Sequence, residues 1–183
     1  MLGYDSQRPQ RRSIRLPGYD YRQEGVYFVT ICARQRECLF GEVVDGEMQL
    51  SECGKIVEAQ WLQIPVIRLN VTLDSFVVMP NHIHGLLVVT SRDEPELDSG
   101  VPETERSSGP AAGSLGAIIG QYKSAVTKHI YALPNDRGFS PWQRNYHEHI
   151  VRSDRTLRQL REYVADNPAQ WQRDSLHPAN VGA

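Results

Sequence analysis

The sequence predicts an α+β domain built on a small antiparallel sheet, and three observations predict it. Short runs rich in β-branched and aromatic residues alternate with longer stretches of helical apolar spacing. Two of the short runs are separated only by Pro80-Asn81, a turn signal that makes them a hairpin. The elements follow the order β-α-β-β-α-β-α with no internal repeat.

Residues 26–32 (Val-Tyr-Phe-Val-Thr-Ile-Cys) read as a buried strand after Gly25. Residues 41–50 are short and turn-rich, a small excursion. Residues 52–69 place Ile56, Val57, Ala59, Trp61, Leu62 and Ile64 at helical spacing, and Pro65 ends or kinks that helix. Residues 71–79 and 82–90 are the hairpin strands. Residues 115–131 carry Leu115, Ile118, Ile119, Tyr122, Val126 and Ile130 on a helical stripe that Leu133-Pro134-Asn135 ends. Residues 142–151 are strand-like. Ser153 or Asp154 caps a last helix running to about 166, with Leu157, Leu160 and Val164 as its apolar stripe and Pro168 as its stop. The first six elements form the ferredoxin-like split βαβ pattern, with helices on one face of the sheet and the last helix added to it. That fold hosts many functions, so function must come from the site.

Composition narrows the classes. The 183 residues (20.8 kDa) suit one domain, and 40% hydrophobic with 23% charged residues is globular. No run approaches 18 apolar residues, so no membrane helix is expected. The start of the chain is polar and Arg-rich, unlike a secretory leader. Cys32, Cys38 and Cys53 are odd in number and form no CxxC pair, which argues against a disulfide framework or a cysteine zinc site and points to a reducing cytoplasm. The net charge of −2 hides an asymmetry. Residues 91–113 hold six acids against two arginines, with few large apolar side chains, and read as a flexible acidic insertion. Residues 1–16 form a basic arm carrying Arg8, Arg11, Arg12 and Arg15. The domain spans 17–173, and 174–183 is a tail. The basic ends permit a phosphate-bearing partner; solvated surface arginines explain them equally.

The densest chemistry is Met79-Pro80-Asn81-His82-Ile83-His84-Gly85. On a strand, His82 and His84 share a face while Ile83 points the other way. Two imidazoles about 7 Å apart at Cα can converge on one metal ion, or simply line a wet sheet face. On the last helix Tyr163 and Asn167 are four residues apart and share a face, with the phenol at the edge of the apolar stripe. An amphipathic tyrosine and an asparagine at a helix end are the plain alternative. Tyr122-Lys123 and Lys128 give a helix a basic edge, with Tyr122 at core spacing and a reserve nucleophile. His147 and His149 repeat the His-x-His pattern. Trp142, Arg144 and Tyr146 offer stacking and hydrogen bonding to bases, or edge packing.

Taken together these residues resemble a known family. The His-hydrophobic-His strand followed by a helix with Tyr-x-x-x-Asn-Pro is similar to the single-tyrosine HUH transposases, and closest to the REP-associated tyrosine transposases. The resemblance runs through residues 15–21, 25–30, 78–85, 118–124, 142–149 and 163–171, and leaves out 91–113. It implies that His82 and His84 bind a divalent ion, Mg²⁺ or Mn²⁺. Asn167 matches an amide-type third ligand where relatives carry Gln, and Tyr163 matches the nucleophile. It implies cleavage of single-stranded DNA beside an imperfect hairpin, leaving a 5′-phosphotyrosine and a free 3′-OH, in a homodimer at the nucleoid. Arg11, Arg12, Arg15, Lys123, Lys128 and Arg144 are the candidate DNA-binding residues. A catalytically silent DNA- or RNA-binding module on the same fold is the alternative. The presence of all four site residues favours retained chemistry. A small-phosphoester hydrolase lacks the several Asp/His ligands that a two-metal site needs.

Overall fold

The computed structural model describes residues 20–90, 113–134 and 138–180. The basic arm and nearly all of the acidic insertion, including Arg11, Arg12 and Arg15, lie outside them. The elements are β1 (Gly25–Cys32), β2 (Gly41–Val44), β3 (Glu47–Leu50), α1 (Glu52–Leu62), α2 (Ile64–Ile67), β4 (Val71–Met79), β5 (His82–Val89), α3 (Leu115–Tyr131), β6 (His147–Val151) and α4 (Asp154–Asp166). Four strands form one antiparallel sheet in the order β4-β5-β1-β6, and β2 and β3 form a separate hairpin. Apart from that hairpin, the first and third long strands are central, flanked by the second and fourth. This is the ferredoxin-like order, and the mixed α+β class predicted from the sequence is the observed one.

Alternation along the central strands separates two jobs. Tyr27, Val29 and Ile31 of β1 and Ile83 and Leu87 of β5 are fully buried in a core with Val57 and Trp61 of α1 and Ile119, Tyr122 and Val126 of α3. The other face carries Phe28 and Thr30 of β1, paired in register with Leu86 and His84 of β5. α4 covers part of this second face.

Gly85 sits where the two jobs meet. A Cβ there would lie 2.2 Å from the Trp61 ring, so only glycine lets that indole press on β5 directly after His84. Trp61 in turn packs edge-on against Tyr122, with ring centroids 5.2 Å apart. The Tyr122 hydroxyl donates to the Val57 carbonyl at 3.1 Å. Tyr122 is thus a core residue, and burial raises its pKa well above the ordinary value.

Local departures from the sequence reading have local causes. The excursion at 41–50 is a hairpin because Asp45 and Gly46 both adopt positive φ (52° and 82°), the geometry of a two-residue turn. The helix expected over 52–69 stops at Leu62, and Pro65 falls in the first turn of the short α2, where its missing N–H costs nothing. The strand expected from 142 begins only at His147. Before it, Trp142 turns into the core, and the Lys123 ammonium lies 2.5 Å from the Gln143 carbonyl and 3.1 Å from that of Arg144. These carbonyls are bound by a side chain instead of a ladder.

Replacing Gly85 by Ala should lower stability by about 3 kcal/mol through overpacking against Trp61. Thermal unfolding followed by circular dichroism measures it, and an unchanged midpoint would mean that the indole can yield.

Candidate metal and nucleophile site

β5 starts directly after the Pro80-Asn81 turn, which puts His82 and His84 at the end of a central strand. Both imidazoles are buried, with ring centroids 4.4 Å apart. Burial pulls each pKa down to about 3, helped by Arg36 at His82 and by His82 at His84. Both rings are therefore neutral at pH 7 and keep an in-plane lone pair. Asn81 decides which nitrogen of His82 keeps it. The Asn81 amide donates Nδ2 to the carbonyls of Arg36 (3.1 Å) and Leu176 (2.8 Å), so its Oδ1 faces His82 Nδ1 at 2.8 Å. That oxygen can only accept, so Nδ1 carries the proton and Nε2 is bare.

Nε2 of His82 is buried and, among the described residues, has no hydrogen-bond partner. The Oδ1 of Asn167 is in the same condition. Asn167 follows the last residue of α4 in helical conformation and is 2% exposed. Its Nδ2 donates to Asp174 Oδ2 at 3.3 Å, and the same carboxylate oxygen lies 3.8 Å from His82 Nε2. With His82 neutral this is a polar contact, not an ion pair. Orphaned buried acceptors cost free energy, and a cation could engage His82 Nε2, Asn167 Oδ1 and Asp174 Oδ2 together. His82, His84 and Asp174 form a buried group able to hold a metal ion, their donor atoms all within 4.8 Å of one another.

Asp174 is the site residue that sequence reasoning missed, because it falls in the segment set apart as a tail. A short helical turn (Trp171–Arg173) buries Trp171 near His82, with ring centroids 6.0 Å apart, and delivers the next residue to the pocket. Asp174 Oδ1 accepts from the Leu176 N–H at 2.7 Å, a local turn that leaves Oδ2 aimed inward. The one sequence signal was a lone Asp three residues after a tryptophan.

Tyr163 reaches this group from α4. Its hydroxyl lies 3.1 Å from His84 Nε2, and His84 Nδ1 lies 2.8 Å from Thr30 Oγ1. A proton on Nδ1, donated to Thr30, leaves Nε2 to accept from the phenol. Partial burial is the main cause that raises the Tyr163 pKa, with Asp174 adding to it and the Asn167 side chain opposing. Tyr163 as a residue stays 44% exposed, with its hydroxyl against His84.

α4 is aimed by two devices. Ser153 caps it, its side chain accepting from the Thr156 N–H at 3.2 Å. Arg161 then clamps it to β4 through Asp74, at 2.9 Å (Nε–Oδ1) and 2.6 Å (Nη2–Oδ2). Asp74 sits at an irregularity in the β4 register between Leu73 and Phe76, where a bulge turns the carboxylate toward the helix.

The structure thus brings His82, His84, Tyr163 and Asn167 into one pocket of one chain. Lys123, Lys128 and Arg144 are elsewhere. They line a cleft of about 560 Å³ with Thr127 and Trp142, beside α3 and so on the opposite side of the sheet. The Lys123 ammonium there binds backbone carbonyls, and burial lowers its pKa to about 8. Among the described residues no helix is long and apolar enough to cross a membrane.

An uncharacterized protein of Haemophilus influenzae is 39% identical over 169 residues, covering 91% of this chain and 93% of that one. The chain belongs to one family with this Haemophilus protein. No family model matches. The solved structure of a REP-associated tyrosine transposase bound to a REP hairpin aligns with a TM-score of 0.57 at 16% identity, over 86% of this chain and 74% of that one. The fold is that of this transposase, in agreement with the resemblance stated above. A candidate transposase of Deinococcus radiodurans R1 aligns with a TM-score of 0.46 at 16% identity, over 83% of this chain and 95% of that one.

The clamp on α4 has a pH signature. Arg161 lowers the Asp74 pKa, so its stabilisation is present above the ordinary carboxylate value and lost as pH falls through the lowered one. Asp74→Asn should therefore reduce the melting temperature at pH 7, and the gap to the parent should close below about pH 4. A gap that persists at low pH would assign the loss to packing.

Proposed function

We propose that this protein is a metal-dependent, tyrosine-nucleophile endonuclease and strand transferase acting on single-stranded DNA, and one observation carries the proposal: the Tyr163 hydroxyl lies 3.1 Å from His84 within the His82/His84/Asp174 group. His82, His84, Asn167 and Asp174 would hold a divalent ion, Mg²⁺ or Mn²⁺, through two nitrogens, an amide oxygen and a carboxylate. When bound, the ion supplies charge neutralisation at the scissile phosphate.

The chain's own groups supply the rest. The Tyr163 oxygen attacks phosphorus, the bond to the 3′ oxygen breaks, and the DNA is left as a 5′-phosphotyrosine and a 3′-hydroxyl. The phenol gives up one proton and the leaving oxygen takes one up. His84 Nε2 is the phenol's acceptor in the resting arrangement. A phosphotyrosine keeps the energy of the broken bond for rejoining. Because the resting phenol occupies the His84 Nε2 lone pair, His84 can serve as a ligand only after Tyr163 turns outward, toward its exposed side. All four groups come from one chain, and the proposed assembly is a homodimer of two such sites. Lys128 and Arg144 in the basic cleft, and Arg11, Arg12 and Arg15 of the arm, offer charge to a DNA hairpin stem. The cytoplasm, at the nucleoid, is the matching location.

A silent nucleic-acid-binding module on the same fold would have no use for orphaned acceptors beside a phenol. Incubation with Mn²⁺ and a hairpin oligonucleotide carrying a single-stranded flank should yield an adduct that survives a denaturing gel. Tyr163→Phe should abolish the adduct and retain DNA binding. His82→Ala should reduce adduct formation at least tenfold while the fold is kept. An adduct that persists in Tyr163→Phe would sink the proposal.

A second measurement reads the phenol's resting place. Removing the hydroxyl frees His84 Nε2, so Tyr163→Phe should bind Mn²⁺ several-fold more tightly than the parent by calorimetry, whereas Asp174→Asn should bind it about tenfold more weakly. Equal affinity in parent and Tyr163→Phe would show that phenol and ion do not share that nitrogen.

A further inference from the structure

β6 pairs with β1 so that His147 stands opposite Thr30 and His149 opposite Phe28. Directly paired residues project from the same face. The two histidines therefore share the face that carries His84 and Tyr163, and Glu148, opposite Val29, is turned to the other side. Across that face run His84, Thr30 and His147 in one row, and Leu86, Phe28 and His149 in the next. With strands about 4.8 Å apart, the His147 Cα lies about 10 Å from that of His84.

Among the described residues this half of the face is open. The Arg161–Asp74 clamp holds α4 toward the β4 side, and His147 and His149 are both exposed. Phe28 bridges the open half to the site. Its ring stacks on His84 at 5.3 Å and 22°, and meets Tyr163 edge-on at 6.1 Å. The platform thus begins at the reactive phenol and continues through an aromatic ring to two exposed imidazoles.

We infer that Phe28, His147 and His149 form the floor on which the single-stranded nucleotide flanking the scissile phosphate lies. This rests on the function proposed above and adds to it where the substrate sits. Three observations select single-stranded DNA as the occupant. The strip is continuous with the phenol that would attack. It presents flat rings, which stack on unpaired bases whatever their identity, and imidazole N–H groups, which reach phosphate or base edges. The chain leaving β6 carries Arg152, Arg155 and Arg158 against Asp154, a local excess of positive charge suited to a polyanion. His147 and His149 here are positioning residues: they touch the flank and not the reacting atoms.

The test compares the parent with His147→Ala/His149→Ala, both substitutions lying on an exposed strand edge. Fluorescence anisotropy is read with two labelled probes, a bare hairpin and the same hairpin with a single-stranded flank. The double variant should bind the flanked probe about tenfold more weakly and the bare hairpin equally. Its Mn²⁺ affinity and its adduct yield at saturating DNA should match the parent. Equal affinity for the flanked probe overturns the inference. A loss of Mn²⁺ affinity would overturn it in favour of ligand histidines, and a change in sedimentation mass in favour of an interface between two copies along the β6 edge. If the parent forms no adduct, the proposed function fails, while the two-probe comparison still decides whether this floor binds single strands.

Discussion

The arrangement depends on two uncharged imidazoles buried at the end of a central strand. A charged ring would not tolerate that position, and a neutral one needs its N–H satisfied. Asn81 and Thr30 meet that need, and each is itself anchored. Asn81 is held by carbonyls from two distant segments, at Arg36 and Leu176, and Thr30 by its place opposite His84 in the β1–β5 register. Orientation of the lone pairs is therefore a property of the whole sheet end, not of the histidines alone. Loosening the chain around Leu176 would unlock the His82 tautomer as surely as a change at Asn81.

Around that fixed pair the fold divides labour by face. One face is a dry core, with Gly85 admitting Trp61 so that β5 is pressed from behind. The other carries donors, a nucleophile candidate and an uncovered strip. α4 spans only part of it because the Arg161–Asp74 clamp and the β4 bulge set its position to one side. The same clamp thus delivers Tyr163 and leaves room for a substrate. A part-exposed tyrosine with its hydroxyl against His84 is suited to two positions, one resting on the ring nitrogen and one free.

Much of this was readable along the chain. The His-x-His spacing implied a common face, and the i, i+4 spacing of Tyr163 and Asn167 implied another, because strand and helix periods are local geometry. Pairing between β5 and α4, 79 residues apart for His84 and Tyr163, had support only from resemblance. The hairpin at 41–50 goes beyond the turn-rich excursion expected there, and Asp45-Gly46 carries its turn preference. Trp142 to Tyr146 have strand-like composition but precede β6, because the carbonyls of Gln143, Arg144 and Asn145 are taken by Lys123 across a gap of about twenty residues.

Local sequence sufficed for the fold class, for most of the elements though not all their ends, and for the chemistry-bearing residues of β5 and α4, since periodicity, turn chemistry and burial preference act over a few residues. Only the tertiary structure decided that Asp174 joins the histidines, that Lys123 serves a loop, and that His147 and His149 share the sheet face of His84. Those outcomes depend on strand order, register and the packing of a terminal turn. They arise from contacts between segments far apart in the chain, where no local period carries information.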